Sequence, residues 1–130
     1  MADFVLLIRG GSRTEKDGLS GVQIEEQLMK WTRWITSLES KGVLKGGKPL
    51  EQESHVLDSN GLIAKKDLAD PRELITEYLL LDVPNIDEAA KAARGCPVLK
   101  TGGQIEIRPV NQRMPLLLDK MRQLVTVPMN

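Results

Sequence analysis

Residues 4–8, Phe-Val-Leu-Leu-Ile, are apolar at every position, and this run limits the possible folds more than any other feature of the chain. Side chains along a β-strand point alternately to opposite faces, so Phe4, Leu6 and Ile8 would share one face and the residues between them the other. A strand that is apolar on both faces is typical of a sheet covered on both sides. The fold must therefore supply a second layer for each face of this strand.

The first half of the chain predicts a strand over residues 3–9 and then a helix. Ser20 can cap this helix, apolar residues recur in it at helical spacing to about residue 41, and Gly42 is a suitable stop residue. Residues 46–49, Gly-Gly-Lys-Pro, indicate a loop. A strand over 54–57, an Asn-Gly turn at 60–61 and a return strand over 62–65 indicate a hairpin, followed by a polar loop over 66–72.

The second half predicts a strand over residues 74–83, with residues 78–81 buried, and then a short helix over 87–94. Asn85 or Asp87 would cap the helix, and Gly95 and Pro97 would end it. A closing strand covers 104–109, in the segment Gly-Gln-Ile-Glu-Ile-Arg-Pro-Val. Residues 111–130 predict an amphipathic helical tail after Pro115.

The order of these elements, β-α-β-(hairpin)-β-α-β, predicts an α+β fold of the ferredoxin-like, split-βαβ type with an antiparallel sheet. The predicted domain spans residues 1–110, and residues 111–130 form a C-terminal helical extension that packs on its own domain or on a partner subunit. Two helices cover only one face of the sheet. A second copy of the chain is the simplest cover for the other face.

Composition restricts the class of protein further. The 130 residues suit one domain, and 18 basic against 18 acidic residues leave no net charge. This balance argues against nucleic-acid binding and gives little charge repulsion against self-association. A single cysteine, no signal-peptide pattern and no long apolar run favour a cytoplasmic protein that does not enter a membrane.

Four segments resemble the YCII-related family, also called DGPF-domain proteins. They are residues 4–10 (Phe-Val-Leu-Leu-Ile-Arg-Gly), the Gly-Val-Leu at 42–44 with Gly46 and Leu50, residues 78–89, and the Cys-Pro at 96–97 with residues 103–110. The similarity spans about residues 3–110. It implies a ferredoxin-like fold that pairs into a homodimeric α/β barrel, with the two sheets face to face.

The resemblance departs from the family pattern where function is concerned. The family's Asp-Gly-Pro-Phe would fall within residues 65–73, where this chain has Lys-Lys-Asp-Leu-Ala-Asp-Pro-Arg-Glu. The His/Asp pair associated with a suggested activity in some members has no matched histidine here. No cofactor is expected.

The best candidates for a ligand-binding site lie on strand faces that point into the predicted barrel. Glu106 and Arg108 share one face of the last strand and could bind a carboxylate or polarise a carbonyl. They could equally form a structural ion pair with each other or across the sheet with Arg9 or Asp82. Arg9, Tyr78, Glu106 and Arg108 are the predicted ligand-binding residues.

His55 is the sole histidine and, with Glu106 and Arg108, a candidate catalytic residue. Glu53 would lie on the same side of its strand and Asp58 on the opposite side; an exposed, edge-strand histidine is the alternative.

Cys96 follows a helix C-terminus and is expected to be buried and inert. One histidine and one cysteine cannot form a usual zinc site, so no metal-binding residues are assigned, and a Mg²⁺ or Ca²⁺ site made only of carboxylates is the alternative.

Trp31 and Trp34, three apart on the first helix, are expected in the core or at a dimer edge, with aromatic ligand stacking as the alternative.

The sequence leaves three functions open. The first is a dimeric protein that binds a small organic molecule or acts as an accessory protein without catalysis. The second is an enzyme that acts on a small organic substrate through the barrel-face residues. The third is a protein-interaction module built around the tail.

Overall fold

The computed structural model describes residues 1–10, 20–61, 63–65, 73–111 and 113–124. Within these ranges the helices and strands follow one another as β1 (Ala2–Arg9), α1 (Gly21–Ser40), β2 (Leu44–Pro49), β3 (His55–Leu57), β4 (Ile63–Lys65), β5 (Ile75–Val83), α2 (Ile86–Ala93), a 3₁₀ helix (Pro97–Lys100), β6 (Gln104–Pro109) and α3 (Arg113–Leu124). The predicted loop over residues 66–72 and the last six residues of the tail lie outside the described residues.

The main sheet has four strands in the order β2-β5-β1-β6, and all its neighbouring strands are antiparallel. β1 occupies the interior of the sheet although it comes first in the chain, because β5 and β6 return to pair with its two edges. The fold is therefore α+β and compatible with the predicted ferredoxin-like arrangement.

One face of this sheet forms the core. Leu6 of β1 lies between Leu79 of β5 and Ile107 of β6 in the register of the three strands. Leu6, Ile8 and Leu81 are fully buried. The core cluster also includes Trp34 and Leu38 from α1 and Ala89 and Ala93 from α2, so both helices cover the same face.

The opposite face of the sheet, here called the open face, presents Val5 and Leu7 of β1 and Leu80 of β5, which are all half-buried. The prediction that residues 78–81 are all buried is therefore wrong. Leu79 and Leu81 are buried, but Tyr78 is 39% exposed. Consecutive residues of a strand point to opposite faces, and within the described ranges α1 and α2 both pack on the same face.

The second strand of the main sheet is not the one predicted. Residues 46–49 form part of β2, although their glycines and proline indicated a loop, while the predicted strand at residues 54–57 contributes β3 to a separate two-stranded sheet with β4. β2 is an edge strand, where Pro49 at its end is tolerated. The predicted hairpin of β3 and β4 is confirmed, and Gly61 in its turn has a φ of 79°.

Both core helices begin at the predicted caps. Ser20 forms a capping box with Gln23 at the start of α1, and the Asn85 side chain accepts a hydrogen bond from the Glu88 backbone N–H at 3.0 Å at the start of α2. α1 ends just before Gly42, whose φ is 71°. The amino-terminal half of α1 is exposed, so only the carboxyl-terminal half of its apolar stripe lies in the core.

The predicted helical tail is confirmed as α3 over residues 113–124. It begins two residues before Pro115, and a proline is tolerated in the first turn because the first backbone N–H groups of a helix have no partner within it. Leu118, Met121 and Leu124 are 44%, 59% and 83% exposed. Packing of these side chains on a partner subunit remains a prediction.

Candidate functional site

The four predicted ligand-binding residues lie together on the open face. In the strand register Leu7 is flanked by Tyr78 on β5 and by Glu106 on β6, so these side chains leave the sheet on the same side. Arg9 and Arg108 occupy positions two residues from this row on β1 and β6. The sequence therefore placed these residues on one surface, as alternation along antiparallel strands requires.

Within this surface, Arg9, Glu106 and Arg108 form a charged cluster. Arg9 Nη2 donates a hydrogen bond to Glu106 Oε1 at 2.7 Å, and Arg108 Nε lies 3.8 Å from Glu106 Oε2. The structural ion pair considered from the sequence is thus present. The Arg108 side chain is 69% exposed, so its guanidinium retains surface from which it could donate to another acceptor.

A second ion pair lies elsewhere on the main sheet. Lys45 Nζ lies 3.1 Å from Asp3 Oδ1, at the other end of β1 from Arg9. Val5, Leu7 and Leu80 occupy the register positions between the two ion pairs. The open face thus carries an apolar strip with charged groups at both ends of β1, and Glu106 and Arg108 lie beside the strip on β6.

His55 lies apart from the charged cluster in the fold. It belongs to β3 of the two-stranded sheet, whereas Glu106 and Arg108 belong to β6 of the main sheet. The His55 imidazole Nε2 contacts Glu53 Oε1 at 3.1 Å, which is the neighbour expected from the sequence, and its side chain is 47% exposed. Within one chain the structure does not assemble the three candidate catalytic residues.

Cys96 is buried, as expected, and only 2% of its surface is exposed. The pKa of its thiol is raised to about 12, chiefly by burial; the backbone hydrogen bond to Val98 lowers the pKa, and the negative charge of Glu77 contributes to the rise. A thiol with this pKa is almost entirely protonated at neutral pH. Cys96 is therefore a core residue and not a nucleophile.

A large cavity beside α1 was not predicted from the sequence. It has a volume of about 860 Å³ and lies between α1 and the segment that follows β2. We call it the α1 cavity; its lining includes Leu28, Trp31, Ile35, Leu50, Thr76 and Glu77. Cavities of roughly 300–1,000 Å³ with mostly apolar walls and a few polar groups are typical of small-molecule sites.

Polar groups in the α1 cavity are placed by β5. Ile8 pairs with Glu77 in the sheet, so Glu77 points to the helix-covered face, where it is only 8% exposed. The adjacent Thr76 hydroxyl donates to the Ile8 carbonyl oxygen at 3.4 Å. A carboxylate thus lies at the inner wall of the cavity, whose other wall, on α1, alternates apolar and polar side chains: Ile24, Gln27, Leu28, Trp31, Thr32, Ile35, Thr36 and Glu39.

Trp31 is shared between this cavity and the core. Its ring centroid lies 5.6 Å from that of Trp34, and the two rings meet edge to face at 77°. Trp34 in turn donates from Nε1 to the Ala92 carbonyl oxygen at 3.0 Å, which fixes its indole. Trp31 is therefore held in place on the side that faces the core and lines the cavity on the other.

Two signals in the sequence could have indicated the α1 cavity. Ile24, Leu28, Trp31 and Ile35 recur at helical spacing, but the sequence assigned this stripe to the core. Glu77 alternates with Leu79 and Leu81 and so stands at a position where a buried strand would have an apolar residue. A charged residue at such a position is a signal of a binding site.

Comparison with known protein families and with curated proteins finds no match to the chain. The YCII-related resemblance of about residues 3–110 therefore remains a prediction.

Among the described residues, no helix has both the length and the apolar character needed to cross a membrane. The same residues contain no group of three or more metal-binding side chains of the His, Cys, Asp or Glu type.

Proposed function

We propose that this chain is a small-molecule-binding protein without catalytic activity and that the α1 cavity is its binding site. The observation that supports this proposal is the volume of the α1 cavity, about 860 Å³, beside the apolar stripe of α1. Leu28 on the cavity wall is 61% exposed although it is apolar. A bound ligand with an apolar body would cover such side chains and gain the free energy of their burial.

The absence of catalysis in this proposal follows from the positions of the candidate residues. A general base must lie within hydrogen-bond reach of the proton it removes. His55 contacts Glu53 in the small sheet, and Glu106 is held by Arg9 in the main sheet. The two groups are thus engaged separately, which favours binding over the alternative of an enzyme.

We also propose that the protein is a homodimer whose open faces pack against each other, in agreement with the YCII-related resemblance. The apolar strip of Val5, Leu7 and Leu80 supports this arrangement, because a second copy would bury it. In that dimer Arg108 would face the space between the two sheets. Binding of a small organic acid there, by Arg9, Tyr78, Glu106 and Arg108, remains a prediction from the sequence.

Binding in the α1 cavity can be tested with Nile red, a neutral apolar dye whose fluorescence rises in apolar surroundings. We expect the dye to bind the native protein and Leu28→Arg to weaken its affinity at least tenfold, because the long charged side chain would enter the cavity. Met29→Arg is the matched control: Met29 is the next residue, is 54% exposed and does not line the cavity. No binding to the native protein, or equal loss in both variants, would contradict the proposal.

A further inference from the structure

A second cavity lies on the other side of α1 and differs in charge from the first. It has a volume of about 500 Å³ and is bounded by α1, by the end of α2 and by the 3₁₀ helix. Four basic residues line it: Lys30 and Arg33 from α1, Arg94 at the end of α2 and Lys100 at the end of the 3₁₀ helix. We call it the basic cavity.

No acidic side chain is among the described residues that line the basic cavity. The ion pairs found within the described ranges also include none of its four basic residues, although other cations of the chain, such as Arg9, Lys45 and Arg122, do have acidic partners. The chain as a whole has equal numbers of basic and acidic residues. The charge at this cavity is thus a local concentration and not a consequence of an overall basic composition.

Four positive charges around one cavity repel one another, and an anion between them removes this repulsion. Arg33 and Arg94 come from different helices, so their guanidinium groups can approach an anion from two directions. A guanidinium group matches the geometry of phosphate oxygens and can donate two parallel hydrogen bonds to them. Lysine ammonium groups add point charges without a fixed direction.

The remaining walls of the basic cavity are suited to an organic group. Trp34, Pro97 and Leu99 line it with apolar surface, while Ser37 and Thr101 add hydroxyl groups. Gly95 is required beside the indole, because a Cβ at this position would lie 2.9 Å from Trp34 Cδ1. The cavity therefore combines cationic groups with a rigid apolar wall.

From these observations we propose that the basic cavity binds a small organic molecule that carries a phosphate group. The phosphate would lie among Lys30, Arg33, Arg94 and Lys100, and the organic part would contact Leu99 and Pro97. This proposal does not rest on a ligand in the α1 cavity, although Gln27 lines both cavities. A phosphate dianion fits this site better than a carboxylate because it balances twice the charge and offers three acceptor oxygens.

Phenyl phosphate is a suitable probe, with benzoate as the comparison that keeps the ring and carries a single negative charge. Isothermal titration calorimetry of the full chain at low salt should show binding of phenyl phosphate at least tenfold tighter than binding of benzoate. The affinity should fall as salt is added, because the attraction is electrostatic. Binding of benzoate as tight as that of phenyl phosphate would overturn the proposal, as would no binding of phenyl phosphate.

Charge-removing variants locate the site. Arg33→Gln and Arg94→Gln should each weaken phenyl phosphate binding about tenfold or more. Arg122→Gln removes the same charge from α3, where Arg122 Nη1 lies 3.7 Å from Asp119 Oδ1, and should leave the affinity unchanged. An equal effect of all three variants would show general charge attraction and overturn the proposed site. Unchanged thermal unfolding confirms that the exposed positions tolerate the replacements.

A separate measurement tests whether the cavity recognises a small molecule or the backbone of a nucleic acid. A single-stranded oligonucleotide of twenty residues should bind no more tightly, per phosphate, than phenyl phosphate does. Tight binding of the oligonucleotide with no detectable binding of phenyl phosphate would overturn the small-molecule proposal.

Discussion

At the scale of single residues, Gly47 has a backbone conformation and a neighbouring strand that together exclude a side chain. Its φ is 148°, and a Cβ there would lie 2.6 Å from Leu79 Cδ2 and 2.9 Å from Leu79 Cα, and would also overlap the Tyr78 carbonyl oxygen. Gly46, its neighbour in β2, has no atom within 4 Å of the equivalent position. The two glycines therefore differ in what they allow, although the sequence presents them as a pair.

We expect Gly47→Ala to lower the free energy of unfolding by at least about 2 kcal/mol, because the methyl group would displace β2 from β5. Gly46→Ala should change it by no more than about 0.5 kcal/mol. Urea denaturation followed by circular dichroism measures both. Equal stability of the two variants would show that β2 does not pack on β5 as described.

The thiol of Cys96 gives a prediction of pH dependence. Its pKa rises from 9.0 to about 12 in the folded protein, so above pH 9 the unfolded chain loses this proton while the folded chain keeps it. Stability from the neutral thiol is complete below pH 9 and decreases as the pH rises toward 12. The decrease amounts to about 1.4 kcal/mol between pH 8 and pH 10.

Cys96→Ala removes this contribution, so the difference in unfolding free energy between the native protein and the variant should shrink over the same interval. The packing loss caused by the alanine is independent of pH and cancels in the comparison. Denaturation at pH 8 and pH 10 measures the change. A difference that stays constant would mean that the thiol ionises with the same pKa in the folded protein as in the unfolded chain, as a solvent-exposed thiol would.

At the scale of the elements, the stability of the short helix α2 depends strongly on its N-terminal cap. It has eight residues, and its buried residues are Ala89 and Ala93, which contribute little apolar surface. Asn85→Ala leaves the Glu88 backbone N–H without its acceptor and should lower the free energy of unfolding by about 1 kcal/mol. Asn85→Asp keeps an acceptor oxygen and should be close to neutral; thermal unfolding of both variants distinguishes a capping role from a general need for asparagine.

The helices and strands also show which sequence signals were sufficient to predict secondary structure. β1, β6, α1 and α2 were predicted within a few residues because apolar periodicity, caps and stop residues agreed with one another. β2 was missed because Gly-Gly-Lys-Pro has the composition of a loop, and its pairing depends on close approach to β5, which no local pattern reveals. Tyr78 was expected to be buried because a run of apolar residues does not show which face of a sheet is covered.

The same distinction between local patterns and distant contacts explains which candidate site residues could be predicted. Arg9, Tyr78, Glu106 and Arg108 were placed on one surface because alternation along paired strands fixes the face of each side chain. The apolar stripe of α1 and the charged Glu77 were signals of the α1 cavity, but neither cavity could be located from the sequence, since each is formed by segments far apart in the chain. Leu50 and Trp31 both line the α1 cavity although they are 19 positions apart, and Arg33 and Arg94 both line the basic cavity although they are 61 positions apart.

At the scale of the whole molecule, the proposed dimer predicts the effect of a charge on the open face. Leu80→Lys should raise the dimer dissociation constant at least about thirtyfold, because the ammonium group would be buried opposite its symmetry mate. The monomer should remain folded, since Leu80 is only half-buried in the single chain. Sedimentation equilibrium measures the dissociation constant.

Val56→Lys is the control for this experiment, because Val56 is an apolar residue of the small sheet and is 47% exposed. It should leave the association unchanged. A native protein that is monomeric at high micromolar concentration would contradict the dimer, and so would equal weakening by both replacements.

The position of β1 in the sheet has a consequence for synthesis of the chain. β1 is made first, but both strands that pair with it, β5 and β6, lie beyond residue 74. During translation, therefore, neither edge of β1 can be paired until most of the chain has been synthesised. Contacts so distant in sequence slow folding and expose unpaired strand edges in the meantime. A ribosome-bound chain arrested before residue 75 should thus engage chaperones through residues 4–8.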